Sequence, residues 1–308
     1  MLKTYQTTVS EPIKFKGVGL HLGKNTELTI LPAKSNEGII FKRTDLKNNN
    51  YIKASFLNVT SSKLCTTLEN EYGTKVSTVE HLLAAMYLAE IDNAIVEISS
   101  AEVPIMDGSA KDFLAKFEKS KIIELSEKRK YLEILSRVEL SEGNKKISIE
   151  PSNDTFEVQF ELKYENKIIG NQKNKINFSK DDIVEISKSR TFCLYEDIEK
   201  IKKAGLAKGG SLDNAIVVDE NKILNKDGLR NEKEFVNHKI LDLAGDFLLS
   251  GYRIIGKIDC VQGGHELSNQ FLRKIFSQKS IIKVFELDDI LIAKKIKSTS
   301  AHKLAANA

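Results

Sequence analysis

The sequence predicts an α+β fold made of two halves on a similar plan. Short segments of alternating polarity recur along the chain, the period of half-buried strands. Two helical stretches between them, around residues 77–88 and 232–250, are apolar over most of their circumference, as buried helices are. Finally, Ile91-Asp92-Asn93-Ala94-Ile95-Val96 is echoed by Leu212-Asp213-Asn214-Ala215-Ile216-Val217. After each copy an Asp-Gly turn, Asp107-Gly108 or Asp227-Gly228, precedes a helix, so a duplicated unit explains the echo.

In the first half, residues 26–30, 38–42, 52–54 and 94–99 read as strands. Between the last two, Ser77 or Thr78 offers an N-cap to a helix rich in leucine and alanine. A short helix over 110–117 follows the turn Met106-Asp107-Gly108-Ser109. The charged passage 119–130 lacks a clear period and marks the boundary between two domains, residues 1–125 and 126–308. Strands resume at 132–135, 146–150 and 157–163, and helices are expected over 180–187 and 198–203. Residues 205–211 hold three glycines and read as a flexible connector. A long helix over 232–250, a strand over 252–260 and a helix over 267–276 follow, with a frayed polar tail beyond residue 296.

At 308 residues, 41% hydrophobic and 29% charged, the chain has the balance of a globular protein with a real core. A net charge of +4 spread over scattered lysines does not suggest nucleic-acid binding, though it leaves room for a local basic pocket. Cys65, Cys193 and Cys260 are far apart and form no Cys-x-x-Cys pair, so no disulfide framework is expected and a reducing cytoplasm fits. The start, Met1-Leu2-Lys3-Thr4-Tyr5-Gln6, lacks the basic and apolar regions of an export signal. No apolar run reaches the roughly 20 residues that span a bilayer.

Chemistry concentrates in Val236-Asn237-His238-Lys239-Ile240-Leu241-Asp242-Leu243-Ala244-Gly245-Asp246-Phe247. His238, Asp242 and Asp246 stand at i, i+4 and i+8, on one face of a helix that is otherwise greasy. Burying an imidazole and two carboxylates costs several kcal/mol unless they are paired or bind a metal. Glu80-His81 at the start of the other apolar helix offers a further imidazole and a candidate general base, or else a carboxylate that only favours the helix N-terminus beside a histidine capping the core. Two histidines and one carboxylate, His81, His238 and Asp242, are the donor set of a catalytic zinc site with an open position, and iron(II) accepts the same set. His265 lies in the glycine turn Val261-Gln262-Gly263-Gly264-His265-Glu266, and a partner such as Asp246 would favour its protonated form. Gly17-Val18-Gly19-Leu20-His21-Leu22-Gly23 lacks the following helix of a dinucleotide or phosphate loop and reads as a hairpin carrying one imidazole.

Five segments occur in order: Gly17-Val18-Gly19-Leu20-His21, Ser77-Thr78-Val79-Glu80-His81-Leu82, Pro104-Ile105-Met106-Asp107-Gly108-Ser109-Ala110, Ser189-Arg190-Thr191-Phe192 and His238-Lys239-Ile240-Leu241-Asp242. In these the chain resembles the UDP-3-O-acyl-N-acetylglucosamine deacetylases of Gram-negative bacteria, which perform the committed step of lipid A synthesis. The resemblance runs from about residue 4 to about residue 295. It implies two domains of similar topology, each a β-sheet with two main helices, the helices sandwiched between the two sheets. It also implies a zinc-dependent deacetylase with one Zn2+ per chain on His81, His238 and Asp242. Glu80 becomes the general base, His265 with Asp246 the catalytic pair, and Thr191 the donor to the developing oxyanion. Lys239, with His21, would meet the substrate's phosphate charge. Phe192, Leu194, Ile198, Ala207, Ser211, Ala215 and Val217 match an apolar passage for the acyl chain, Leu64 and Cys65 lie near the metal, and Tyr164 matches the aromatic residue that stacks on uracil.

The chain departs from the family at Gln262, where relatives often carry a lysine. The expected partner is thus an amphiphilic UDP-sugar met by a monomer in the cytoplasm, with no nucleic acid and no transmembrane segment. Two readings compete with it. One is a zinc amidohydrolase on another acylated amino sugar. The other is a non-catalytic UDP-sugar or lipid-binding protein, against which Glu80, His265 and Thr191 speak because binding alone needs no general base.

Overall fold

Ile13 and Phe15 are buried while Lys14 and Lys16 are exposed, the alternation of a sheet with one wet face. This strand, Ile13–Val18, begins a five-stranded sheet that continues through Asn25–Leu31, Ala94–Ile98, Ile39–Arg43 and Tyr51–Lys53. Its pairs are antiparallel except Ile39–Arg43 beside Ala94–Ile98. The computed structural model describes residues 2–61, 64–152 and 155–287; the expectation of a frayed tail beyond residue 296 lies outside the described residues.

The second half carries a seven-stranded mixed sheet organised by Arg253–Val261, which borders Lys130–Ile134, Lys145–Glu150 and Phe156–Lys163. The helices are α1 (Glu80–Leu88), α2 (Lys111–Lys119), α3 (Val184–Lys188), α4 (Tyr195–Lys203), α5 (Glu234–Leu248) and α6 (His265–Ser277). The architecture is therefore α+β, with mainly antiparallel sheets and helices interspersed among their strands. One contiguous apolar core joins Phe15, Leu28, Phe41 and Val96 of the first sheet, through α1 and α5, to Ile149, Val158, Phe160 and Ile258 of the second.

The contact of α1 with α5 is the most extensive between any two elements. Gly245 makes it possible: a Cβ there would stand 2.1 Å from the Glu80 carbonyl oxygen and 3.0 Å from the Ala84 nitrogen. Backbone thus meets backbone at the crossing, and the first turn of α1 lies against the middle of α5.

Several local expectations change in the fold. Neither Ser77 nor Thr78 caps α1, which begins at Glu80 after Val79. Thr78 instead adopts a left-handed φ of 57°, unusual for a β-branched residue, and its hydroxyl donates to Glu102. The helix expected over 180–187 shortens to Val184–Lys188, and that over 198–203 begins at Tyr195. Within the charged passage 119–130, Ile122–Lys128 pairs antiparallel with Tyr5–Val9. It hid from the pattern because this two-stranded ribbon buries little of it. The polar strand Asn171–Asn177 hid similarly, since it is an edge strand held by its backbone to Phe156–Lys163.

The echo does not mark equivalent strands. Its first copy enters the middle strand of the five-stranded sheet, while its second enters Ile216–Asp219 in a separate three-stranded sheet. There Phe192–Leu194, α4 and Ile216–Asp219 form a small βαβ unit with parallel strands. The connector 205–211 is docked rather than loose. The amides of Lys208 and Gly209 donate to the carbonyls of His21 and Leu20, and a Cβ on Gly209 would stand 2.3 Å from the Gly19 oxygen. Its glycines serve close approach.

Gly245→Ala should therefore force α1 and α5 apart. The expected cost is at least the ~1–3 kcal/mol of overpacking, because backbone cannot turn aside as a side chain can. A thermal unfolding midpoint equal to that of the unaltered protein would refute this account of the crossing.

Candidate active site

The α1–α5 crossing sets residues from distant parts of the chain against one another. Glu80 and His81 occupy the first turn of α1, where two consecutive side chains can reach one cleft. His238, Asp242 and Asp246 descend one face of α5, all buried. His265 opens α6 from the glycine turn, where Gly263 leaves no room for a side chain beside Cys260.

Nε2 of His81 and Nε2 of His238 lie 3.5 and 3.4 Å from Oδ1 of Asp242. One potential ligand atom from each of the three residues falls within 4.8 Å of the others. Asp242 Oδ2 accepts a hydrogen bond from Lys239 Nζ at 2.7 Å, whereas buried Oδ1 has no donor among the described residues. A buried carboxylate oxygen without a donor is costly, and a cation facing it removes that cost. His238 Nδ1 lies 3.0 Å from the Ser189 carbonyl, which places the proton on Nδ1 and leaves Nε2 free to ligate. Burial pushes the His238 pKa down to about 3, keeping the ring neutral as a ligand must be. Burial acts to raise the Asp242 pKa, but His238 and Lys239 outweigh it and hold the group well below its ordinary value. The donor set and the unmet oxygen fit a divalent metal.

Beside this triad stand two groups suited to proton transfer. His265 Nδ1 meets Asp246 Oδ2 at 2.9 Å. Burial alone would lower the His265 pKa, but Asp246, Glu80 and Asp242 together raise it to about 9. Its Nε2 reaches within 4.0 Å of Glu80 Oε1. Burial raises the Glu80 pKa, partly offset by His265 and His81. A carboxylate whose pKa burial raises above its ordinary value, beside an imidazole that stays charged at neutral pH, is the pairing that general acid–base chemistry needs.

The site opens into two cavities. A polar one of about 540 Å³ is lined by Glu80, His81, His238, Lys239, Asp242 and His265, and reaches Lys145. A mainly apolar one of about 530 Å³ lies within the βαβ unit. Leu20, His21, Leu64, Tyr164, Thr191 and Phe192 line both and so mark their junction. Leu194, Ile198, Ala207, Ser211, Ala215 and Val217 line the apolar cavity. Thr191 is fixed by its backbone, its amide donating to the Gly108 carbonyl and its carbonyl accepting from Ile216. Tyr164 and Phe192 meet edge to face with centroids 5.9 Å apart. His21 is buried, and neither ring nitrogen has a hydrogen-bond partner among the described residues.

One candidate stands apart from the cavities, and two that line the polar one are held by protein partners. Cys65 lines neither, and burial with nearby Glu80 pushes its thiol up to about 12, so it is inert at neutral pH. Gln262 spends its amide on Lys163, accepting from its N–H at 2.7 Å and donating to its carbonyl at 2.5 Å. Lys239 is drawn to Asp242, which outweighs burial and raises the lysine pKa.

Several supports had no mark in the sequence. Glu102, fully buried, accepts from the amides of His21 and Leu22 and from the Thr78 hydroxyl, tying the glycine hairpin to the approach to α1. Arg190 forms a two-pronged ion pair with buried Glu234, at 2.8 and 3.1 Å, anchoring the segment before Thr191 to the start of α5. Thr66 bonds both Glu80 and Asp246. Each is a contact between residues remote in sequence, which local pattern does not reveal.

A family model described as UDP-3-O-acyl N-acetylglycosamine deacetylase matches residues 6–277. The chain is 41% identical over 278 residues to the UDP-3-O-acyl-N-acetylglucosamine deacetylase of Pseudoalteromonas translucida, covering 89% of this chain and 91% of that protein. It is 43% identical over 287 residues to the protein of that name from Marinobacter nauticus, covering 92% and 94%. Against the namesake from Shewanella frigidimarina it is 39% identical over 304 residues, covering 97% and 99%.

The donor set yields a binding prediction independent of turnover. Replacing His238 by alanine should weaken zinc binding to the metal-free protein by more than the ~10–100-fold typical of losing an outer-shell partner. Calorimetric titration with zinc reads this directly, and unchanged affinity would exclude His238 as a ligand.

Proposed function

The chain belongs to the UDP-3-O-acyl-N-acetylglucosamine deacetylase family, and on that premise we propose how its residues hydrolyse the N-acetyl group of that substrate. It is a hydrolytic deacetylase of lipid A biosynthesis, releasing acetate and leaving a free amine. One observation carries the assignment of roles. A two-histidine, one-aspartate cluster with an unmet carboxylate oxygen faces a buried carboxylate and a charged histidine, where a polar and an apolar cavity join.

His81, His238 and Asp242 would hold the metal, which we take to be one Zn2+ per chain, with Fe2+ accepting the same donors. When bound, such an ion supplies a Lewis acid for the acetyl carbonyl and lowers the pKa of a coordinated water to about 7. Glu80 then takes the proton of the attacking water as oxygen joins the carbonyl carbon. Its Oε2 is held by the Thr66 amide at 3.0 Å, which leaves Oε1 for that task. Thr191 donates to the carbonyl oxygen as negative charge gathers on it. As the C–N bond breaks, His265 gives its Nε2 proton to the departing nitrogen. Asp246 keeps His265 charged and oriented from the far side.

The two cavities suit an amphiphilic substrate. Lys239 faces the polar cavity and balances pyrophosphate charge; His21, held neutral by burial, can donate a ring N–H there, and Tyr164 stands at the edge for the uracil ring. The apolar cavity takes the acyl chain along Phe192, Leu194, Ile198, Ala207, Ser211, Ala215 and Val217, with Leu64 at the entrance. We assign residues 1–125 and 126–308 to two domains, with His21, Leu64, Glu80 and His81 from the first and the remaining site groups from the second. One chain contains every group named, which supports a monomer. Three free cysteines are consistent with cytoplasmic action.

Acetate release from the UDP substrate should vanish with a chelator and return with zinc; release that persists without metal would overturn the proposed role for the ion. Glu80→Ala should keep its metal while kcat falls by ~10²–10⁴-fold. The pH profile should be bell-shaped. Activity rises as Glu80 loses its proton above the ordinary carboxylate range, and it falls as His265 deprotonates near pH about 9. A His265→Ala variant that keeps the basic limb would remove His265 as the acid.

A further inference from the structure

We propose that Thr66 is a positioning residue that aligns the general base and the general acid at once. Its hydroxyl donates to Asp246 Oδ1 at 2.7 Å, and its backbone amide donates to Glu80 Oε2 at 3.0 Å. Its carbonyl accepts from the Val79 amide at 3.4 Å, at the threshold of α1. The residue is 2% exposed, so no solvent competes for these bonds. Among the described residues, Thr66 is the sole hydrogen-bond donor to Asp246 Oδ1, and Oδ2 is left to His265.

A carboxylate is planar, so bonding both oxygens fixes its rotation. Thr66 holds one edge of Asp246, and the other edge sets the plane and tilt of the His265 ring. Through its amide the same residue holds Oε2 of Glu80, so Oε1 faces His265 Nε2 at 4.0 Å. One residue thus sets the relative placement of two groups carried by α1 and α6. Placement of reacting groups within a fraction of an ångström governs rate far more than binding. Among the described residues, the hydrogen bonds of Thr66 go to Asp246, Glu80 and Val79 and none to His81, His238 or Asp242, so the effect is separable from metal retention. This role rests on Glu80 and His265 acting as base and acid.

The test compares Thr66→Val, which removes the hydroxyl at nearly constant volume, with Thr66→Ser, which keeps it. Metal content, kcat and KM on the UDP substrate are measured for both. The valine variant should lose about 10–100-fold in kcat, with full metal content and KM within about twofold. The serine variant should recover most of that loss. In an Asp246→Ala background the valine change should cost little more, because its partner is already gone. Full kcat in Thr66→Val, or an undiminished loss on top of Asp246→Ala, overturns the proposal. If the valine variant fails to fold, Thr66→Ser decides: a folded serine variant with the same large loss of kcat also overturns it. Glu80→Ala and His265→Ala run alongside. If both are inactive while Thr66→Val is unimpaired, only the Thr66 role falls; if all three are fully active, the base and acid assignments fall with it.

Discussion

The structure depends on the approach of two helix backbones at Gly245. A Cβ on that residue would overlap the Glu80 carbonyl, so the crossing tolerates no side chain. The consequence is positional: the first turn of α1 lies directly against the face of α5 that bears His238, Asp242 and Asp246. Were the helices spaced by ordinary side chains, the imidazole of His81 would not reach the carboxylate of Asp242. The remaining supports act around this crossing. Thr78 bends the chain into α1 under the hold of Glu102, and Arg190 with Glu234 secures the start of α5. The apolar core encloses both helices and excludes the water that would otherwise solvate the charges.

Within that dry space the charges sort one another. Burial strips His238 of its proton affinity, while the same burial is overcome at His265 by three nearby carboxylates. Two imidazoles of the same intrinsic pKa thereby take opposite states, one neutral and one a cation. Asp242 divides its oxygens between Lys239 and the gap facing the two histidines. A cluster so arranged, with a buried oxygen left unmet, stays incomplete without a cation in the gap.

Substrate chemistry is reflected in how the two cavities meet. The glycine hairpin at Gly17–Gly23 and the docked segment 205–211 close upon each other through backbone hydrogen bonds that only small residues permit. They stand where the polar cavity passes into the apolar one, and His21 and Leu20 line both. The βαβ unit forming the apolar side hangs its lining residues on two short strands and α4, whose outer face is charged. The junction thus sets a polar and an apolar surface side by side next to the proton-transfer groups.

Much of the chemistry was legible along the chain because it is local. Spacing of four residues puts His238, Asp242 and Asp246 on one helical face, and adjacency puts Glu80 beside His81. The apolar surroundings of those polar groups foretold burial, and the ordered motifs identified the family. Local pattern misled where pairing decided the outcome. Ile122–Lys128 and Asn171–Asn177 are strands by virtue of their partners, and the glycines of 205–211 signal contact rather than freedom. The echo at residues 212–217 resembled a repeat, yet its strand sits in a different sheet from its match. The sequence by itself determined which residue types carry the chemistry, since helical period and motif order are properties of neighbours along the chain. Only the tertiary structure decided that they work as one site. Contacts such as Thr66 with Asp246, or Gly245 with Glu80, join residues that meet only after the chain has closed over large loops, and no local period encodes that meeting.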